Sequence, residues 1–395
     1  MSTQQGIRED VNRKRRTHKK SRSGCPNCKL RRVKCDETRP QCKNCKSFGV
    51  SCNYDLNVAD LQLYISGTAS ITKSPAFSFP VNNDSTFQLD RQSLDRLGRF
   101  QVRTVHSIGP ARIAQFYQNE VIRLAYLHPY LMHGVQTITA IHDRYLSASP
   151  ARQTRTEVYH FCRVASLFNQ KLSTPLQPSD SDALCATAAL SGVIAFSCFE
   201  ASTPEEAWPL KTPAHSDLQW LKMLEGKNTV WKVADPSRLD SSFFRTLDHD
   251  LSFPASTSSG VENIPSAFIQ VYDLENTSTA ENNPYHAAVH TLAPLLHIEC
   301  VQSTIPRFLS FAWCMRPAFK MLLEQKDSRA LVSSAYWYAK VCHSQWWIAR
   351  RALLECQAIC LYLERHHAGD TAIQELVQFP KMQMQCELCL DEYTK

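Results

Sequence analysis

Glycine is scarce in this sequence, at 11 of 395 residues, against an average usage of about 7%. Doubly wound nucleotide-binding folds depend on glycine-rich turns, so the scarcity argues against them. No glycine-rich phosphate loop, nucleophile elbow or metal-hydrolase motif occurs, and nothing else points to catalysis. The longest apolar run, Ala183 to Phe199, is interrupted by Ser, Thr and Gly. Spanning a bilayer takes at least about 17 apolar residues, so this run reads as a buried helix and no membrane association is expected. No signal peptide stands at the N-terminus. The compartment expected is therefore a reducing one, in which cysteines persist as thiols. Strand-like alternation is rare as well.

Charge is present but unevenly placed. The net formal charge is +7. Residues 1–52 hold 15 Lys and Arg against 4 Asp and Glu, and the remaining 343 residues hold 29 against 33. Basic charge gathered into one short stretch is the electrostatic footprint expected on a polyanion.

That stretch also holds six of the 16 cysteines: Cys25, Cys28, Cys35, Cys42, Cys45 and Cys52. The intervals are one C-x2-C-x6-C unit used twice. A Cys-x2-Cys turn aims two sulfurs at one metal, and the third cysteine of each unit adds one more. Each half then supplies three sulfurs, one short of the four that zinc prefers. Two zinc ions can each have four ligands only if two sulfurs are shared, which predicts a binuclear cluster. A zinc ribbon or a receptor-type finger would use only the two Cys-x2-Cys pairs and leave Cys35 and Cys52 idle. A receptor would also need a second four-cysteine module, whereas the next cysteine is Cys162. Between Cys28 and Cys35 the chain reads KLRRVK, four cations in six residues. Arginine offers a two-pronged donor for guanine, and lysine suits phosphates as a point charge.

Cys25 to Cys52 closely resembles the DNA-binding domain of the fungal zinc binuclear-cluster transcription factors. The resemblance implies that Cys25 and Cys42 bridge both zincs, that Cys28 and Cys35 complete one site, and that Cys45 and Cys52 complete the other. It implies that the helix after Cys28 enters the major groove, with Arg31 and Arg32 reading a CGG triplet and Lys34 on a phosphate. Pro40 matches the proline of the loop joining the halves. Lys29 and the N-terminal arm are expected to neutralise further phosphates.

Residues 1–24 form a polar, cationic arm, expected to be disordered when free. Arg13, Lys14, Arg15, Arg16, Lys19 and Lys20 within it suit a nuclear-import signal, a phosphate-binding arm, or both. The cluster domain is placed at 25–52 and a flexible linker at 53–91. Eight Ser and Thr fall between Ser66 and Thr86, with Pro75 and Pro80. Leu56, Ala59 and Leu63 hint at helical spacing but sustain no heptads, so a coiled-coil dimer is not expected. The chain is read as a monomer or weak dimer.

From 92 to 395 the pattern is helical, giving an all-α regulatory domain behind the small cluster domain. One helix should start near Pro110, with Ile113, Phe116, Tyr117, Val121 and Leu124 on its inner face. Val158, Phe161, Ala165, Phe168 and Leu172 mark another amphipathic stripe, as do Leu353, Cys356, Cys360 and Leu363. Further helices are expected near 129–147, 181–199, 216–232, 284–303, 306–325 and 328–346, with breaks near 200–215 and 252–265. The segments LAYLHPYLMHG (Leu124 to Gly134) and WWIARRALLEC (Trp346 to Cys356) resemble the sterol-uptake-control-like branch of the same family. That likeness implies a helical region that binds a small apolar effector or a co-regulator.

Four other signals read as structural. His286 and His290 are four apart, with His297 beyond, but lack an acidic companion. Cys386 and Cys389 form one isolated C-x2-C. Trp346 and Trp347 beside Arg350 and Arg351 fit core packing with charged flanks. Phe243 to Phe253 mixes acidic and bulky apolar residues, and a packed helix end is favoured over an activation segment. The function expected is a nuclear, sequence-specific DNA-binding transcription regulator. It would carry two zinc ions per chain, with double-stranded DNA and co-regulators as partners. The alternative is a small-molecule sensor, sterol-like in its ligand, whose helical domain gates DNA binding.

Overall fold

Three side chains start three of the helices by the same local chemistry. Asp90, Thr154 and Asp327 each accept a hydrogen bond from an amide three residues on, at 2.7, 3.2 and 2.9 Å. This satisfies one of the free N–H groups that every helix start presents. At Thr154 the bond is returned, because Glu157 accepts from the Thr154 amide.

The computed structural model describes residues 23–30, 33–48, 52, 54, 87, 89–147, 153–214, 217–234, 260–313 and 315–388. The chain divides into two compact units, Met1–Ser74 and Pro75–Lys395. The first holds α1 (Pro26–Leu30) and α2 (Lys43–Phe48). The second is helical throughout, with no strand among the described residues. Its first half holds α3 (Arg91–Val102), α4 (Ala111–Phe116), α5 (Ile122–Leu127), α6 (Pro129–Tyr145), α7 (Arg155–Leu172), α8 (Ser181–Ser197) and α9 (Gln219–Ala234). Its second half holds α10 (Ser266–Val271), α11 (His286–Leu292), α12 (Ile305–Trp313), α13 (Pro317–Glu324), α14 (Ser328–Val341), α15 (Trp346–His366) and α16 (Thr371–Leu388).

The apolar run that raised the question of a membrane is α8. It packs against α6, α9 and α15, and residues on all its faces are buried, from Ala183 to Phe196. A helix apolar all round belongs in a core, and no described helix is long and apolar enough to cross a membrane. Beside it, α14, α15 and α16 pack on one another. Aromatic rings fill the space between: Trp220 lies parallel to Trp337 at 5.8 Å, and Phe311 stacks on Trp337 at 5.7 Å. The Trp337 indole donates to the Phe308 carbonyl at 2.7 Å, so its polar atom is satisfied in the interior.

Several sequence expectations are revised by the structure. The helix after Pro110 does begin there, but a π turn at Tyr117–Val121 joins α4 to α5. The inserted turn rotates the face, so Ile122 and Ala125 are buried beside Val121 and Leu124, whereas Ile113 is only half-buried. The helix expected near 284–303 is shorter, because after α11 the chain tightens into a 3-10 turn at Ala293–Leu295 containing Pro294. The single helix expected near 306–325 is two, with Pro317 in the first turn of α13.

On α7 the buried face is Glu157, His160, Val164 and Leu167, one position away from the stripe read in the sequence. Val158 and Ala165 are exposed, and Phe161, Phe168 and Leu172 flank the seam half-buried. Polar pairing draws the helix round. Glu157 meets Arg144 of α6 at 2.9 Å, and the His160 and His133 Nδ1 atoms lie 2.8 Å apart.

Trp346 and Trp347 are used in packing, as expected. Trp347 is buried, and Trp346 stacks on His142 at 4.5 Å while donating to the Ser107 hydroxyl at 2.9 Å. Arg351 donates to the carbonyls of Phe196 and Cys198 at 3.1 and 3.0 Å, closing the C-terminal end of α8. It also pairs with buried Glu355 at 2.9 Å. The region from Phe243 to Phe253 and the 252–259 part of the expected break lie outside the described residues.

Candidate metal centre and nucleic-acid interface

The site is built from one local motif made twice. After Cys25, Pro26 supplies a fixed φ and no donor at the first position of α1. The turn aims the Cys28 amide at Cys25 Sγ, 3.4 Å away, and the Lys29 amide at the Cys25 carbonyl, 3.1 Å away. In the second half the Cys45 amide reaches Cys42 Sγ at 3.3 Å and the Lys46 amide reaches the Cys42 carbonyl at 3.0 Å. An amide pointing at sulfur favours the thiolate form that a metal needs. The two halves are tied by side chains. Asp36 accepts from the Lys43 amide at 3.0 Å, at the start of α2, and the Asn44 side chain donates to the Lys34 carbonyl.

These turns gather the sulfurs. Cys25, Cys28, Cys42 and Cys45 are fully buried, Cys35 is 3% exposed, and Cys52 is half-buried. Sulfur–sulfur separations are 3.5 Å for Cys25–Cys45, 3.6 Å for Cys28–Cys42 and 3.9 Å for Cys25–Cys42. A disulfide requires about 2.05 Å. The edge of a tetrahedron with Zn–S bonds of about 2.3 Å is about 3.8 Å. The spacing fits ligation and not cross-linking. Two groups of four emerge, Cys25, Cys28, Cys35 and Cys42, and Cys25, Cys42, Cys45 and Cys52, each with its sulfurs within 4.8 Å of one another. Cys25 and Cys42 are common to both.

All-sulfur, four-coordinate, buried sites suit zinc as a structural ion. Burial and neighbouring thiols push Cys28 and Cys45 well above the ordinary thiol range, and burial pushes Cys52 up to about 12. Binding a cation here therefore releases protons.

The basic residues divide. Lys29 and Lys34 are exposed on the same stretch as the first three cysteines. Arg31, Arg32 and the arm residues Arg13, Lys14, Arg15, Arg16, Lys19 and Lys20 lie outside the described residues. Lys43 and Lys46 are exposed beside the second Cys-x2-Cys turn, and sequence reasoning passed over them. The repeat itself was the available signal, since Lys46 follows Cys45 as Lys29 follows Cys28. Tyr54, two residues past the last cysteine, packs on the cluster and was also missed.

Elsewhere, the His286 and His290 rings lie 4.0 Å apart. No third Cys, His, Asp or Glu completes a metal site with them among the described residues. The Cys389 position and the Cys386 side chain lie outside the described residues.

Residues 23–58 match the fungal Zn(2)-Cys(6) binuclear cluster domain. The chain is 26% identical over 348 residues to the Zn(2)-C6 fungal-type transcription factor afumD of Aspergillus fumigatus, covering 85% of this chain and 90% of that protein. It is 58% identical over 41 residues to sterol uptake control protein 2 of Candida albicans, covering 10% of this chain and 6% of that one. The namesake from Saccharomyces cerevisiae is 54% identical over 41 residues, covering 10% and 4%. These two short matches are to the zinc cluster, whereas the first runs through the helical unit as well. Residues 23–58 are thus a fungal Zn(2)-Cys(6) binuclear cluster domain, which binds two zinc ions, and the chain carrying it is similar over most of its length to a Zn(2)-C6 fungal-type transcription factor.

Proposed function

We propose that the chain acts in the nucleus and reads a CGG-type triplet in the major groove of duplex DNA. Cys25 and Cys42 bridge the two zincs, Cys28 and Cys35 complete one site, and Cys45 and Cys52 complete the other. Arg31 and Arg32 contact guanine edges, while Lys29, Lys34 and the basic arm neutralise phosphates. The observation that carries this reading is the pair of four-sulfur groups sharing Cys25 and Cys42. A rigid two-zinc core beside the KLRRVK stretch supports a fixed presentation of its cations to a groove. The helical unit serves regulation, through co-regulators or a small apolar effector, and the chain binds as a monomer or weak dimer.

Selection of the zinc-loaded full chain on a random duplex library at near-physiological salt tests this. Recovery of a CGG-type triplet is expected. One copy means a monomer, and two at fixed spacing mean a dimer on DNA. Enrichment of no motif, with two zincs per chain confirmed, would overturn the base-reading role.

A further inference from the structure

The three sulfurs of the first half are not supported alike. Cys25 accepts from the amide of its own knuckle. Cys35 stands outside any knuckle and accepts from the Glu37 amide at 3.3 Å. A second group reaches it from outside the C-x2-C-x6-C pattern: Tyr54 Oη lies 3.2 Å from Cys35 Sγ. The Tyr54 ring is in turn held under the Arg39 guanidinium, 4.8 Å from its centroid. Arg39 precedes Pro40 on the segment between the two halves, and Tyr54 packs on the cysteine cluster half-buried.

We propose that Tyr54 is a positioning residue for the metal centre. It donates its hydroxyl hydrogen to the Cys35 thiolate and fixes that ligand in its site. The direction of the bond follows from chemistry, because a thiolate has no proton to give and the phenol is the only donor of the two. Hydrogen bonds to ligand atoms orient them and tune their basicity, and losing one typically costs 10–100-fold in metal affinity. A donor on sulfur draws off charge, which makes the thiolate a poorer target for alkylating agents and oxidants. Arg39 over the ring face keeps the phenol in place by cation–π attraction. The contact also fastens the chain leaving the cluster to the segment between the halves, so that the second half closes back on the first. The proposal rests on Cys35 being a zinc ligand.

Tyr54→Phe in the full chain is the test, since it removes the hydroxyl and keeps the ring under Arg39. The variant should still bind two zincs but release one to a chelator about 10-fold faster. With cobalt in place of zinc, its sulfur-to-cobalt charge-transfer absorption should shift. A merely space-filling Tyr54 would move neither readout in the Phe variant. Unchanged release and an unchanged cobalt spectrum would overturn the proposal. Cys35→Ala separates the two layers of the argument. Loss of one zinc in that variant, with Tyr54→Phe unchanged, rejects Tyr54 alone. Retention of both zincs rejects the ligand assignment beneath it.

Discussion

Arginine at positions 31 and 32 presents a planar two-pronged donor matched to O6 and N7 of guanine. Lysine at 29 and 34 offers point charges suited to phosphate. The two kinds of residue should fail differently. Arg32→Ala is expected to lose ~1–3 kcal/mol of discrimination at the core triplet. Lys34→Ala should weaken every duplex alike and lower the salt slope by about 1. Binding isotherms on CGG and scrambled duplexes at several salt concentrations check both, and an even loss for Arg32→Ala would remove it from base readout. In the helical unit the comparable residue is Arg351, which holds α8 carbonyls and the buried Glu355 carboxylate together. Burial works to raise the Glu355 carboxyl, and Arg351 opposes it. Arg351→Met leaves that carboxylate without its cation and should cost ~3–5 kcal/mol. Thermal unfolding of the variant measures this, and a loss below ~1 kcal/mol would show the pair to be dispensable.

At the scale of elements, α6, α7 and the turn before α4 meet through buried histidines. His133 and His160 share a 2.8 Å contact between Nδ1 atoms, and His142 Nδ1 lies 3.0 Å from the Thr104 hydroxyl. Two ring nitrogens that close need one donor and one acceptor, which two neutral rings supply. Burial holds His142 and His160 down at about 4, and burial together with His160 and Arg163 holds His133 lower still. Above the ordinary histidine value of about 6.5, folded and unfolded rings are alike neutral and nothing is lost. As pH falls below it, the unfolded chain takes up protons that the folded chain refuses. Stability should therefore drop by up to ~1.4 kcal/mol per pH unit for each histidine between about 6.5 and 4. Denaturant melts from pH 7.5 to 4.5 measure the slope, and a flat profile would mean the rings are charged or exposed in the native state.

This seam was not legible in the sequence. An apolar stripe is read from Val, Phe, Ala and Leu, and the inward face of α7 is set instead by Glu157 and His160, whose partners lie on another helix. The breaks at Pro294 and Pro317 were local chemistry and could have been read. The π turn at Tyr117–Val121 carried no such mark. The sulfur cluster was legible because its spacing is itself the geometry: the repeated C-x2-C-x6-C unit makes the same amide-to-sulfur turn at Cys25 and at Cys42. Tyr54 was not, because its role depends on how the chain returns to Cys35 after the last ligand.

Over the whole molecule the two units differ in what holds them together. Among the described residues, what the small one buries is chiefly its cysteines, with Tyr54 packed against them. Its folding is therefore expected to depend on zinc, which supplies ~10–16 kcal/mol in finger peptides. The large one has a continuous core of aromatic and aliphatic side chains and should stay folded without metal. Basic charge is concentrated at the small unit's end of the chain, so affinity for DNA should fall steeply with salt. The most direct measurement takes one sample of the full chain and records zinc content and affinity for CGG and scrambled duplexes, before and after chelation. Two zincs per chain are expected, with a preference for CGG of about 10³-fold or more that vanishes on chelation while the helical signal stays. Equal affinity for the two duplexes, or a preference that survives removal of zinc, would contradict the account.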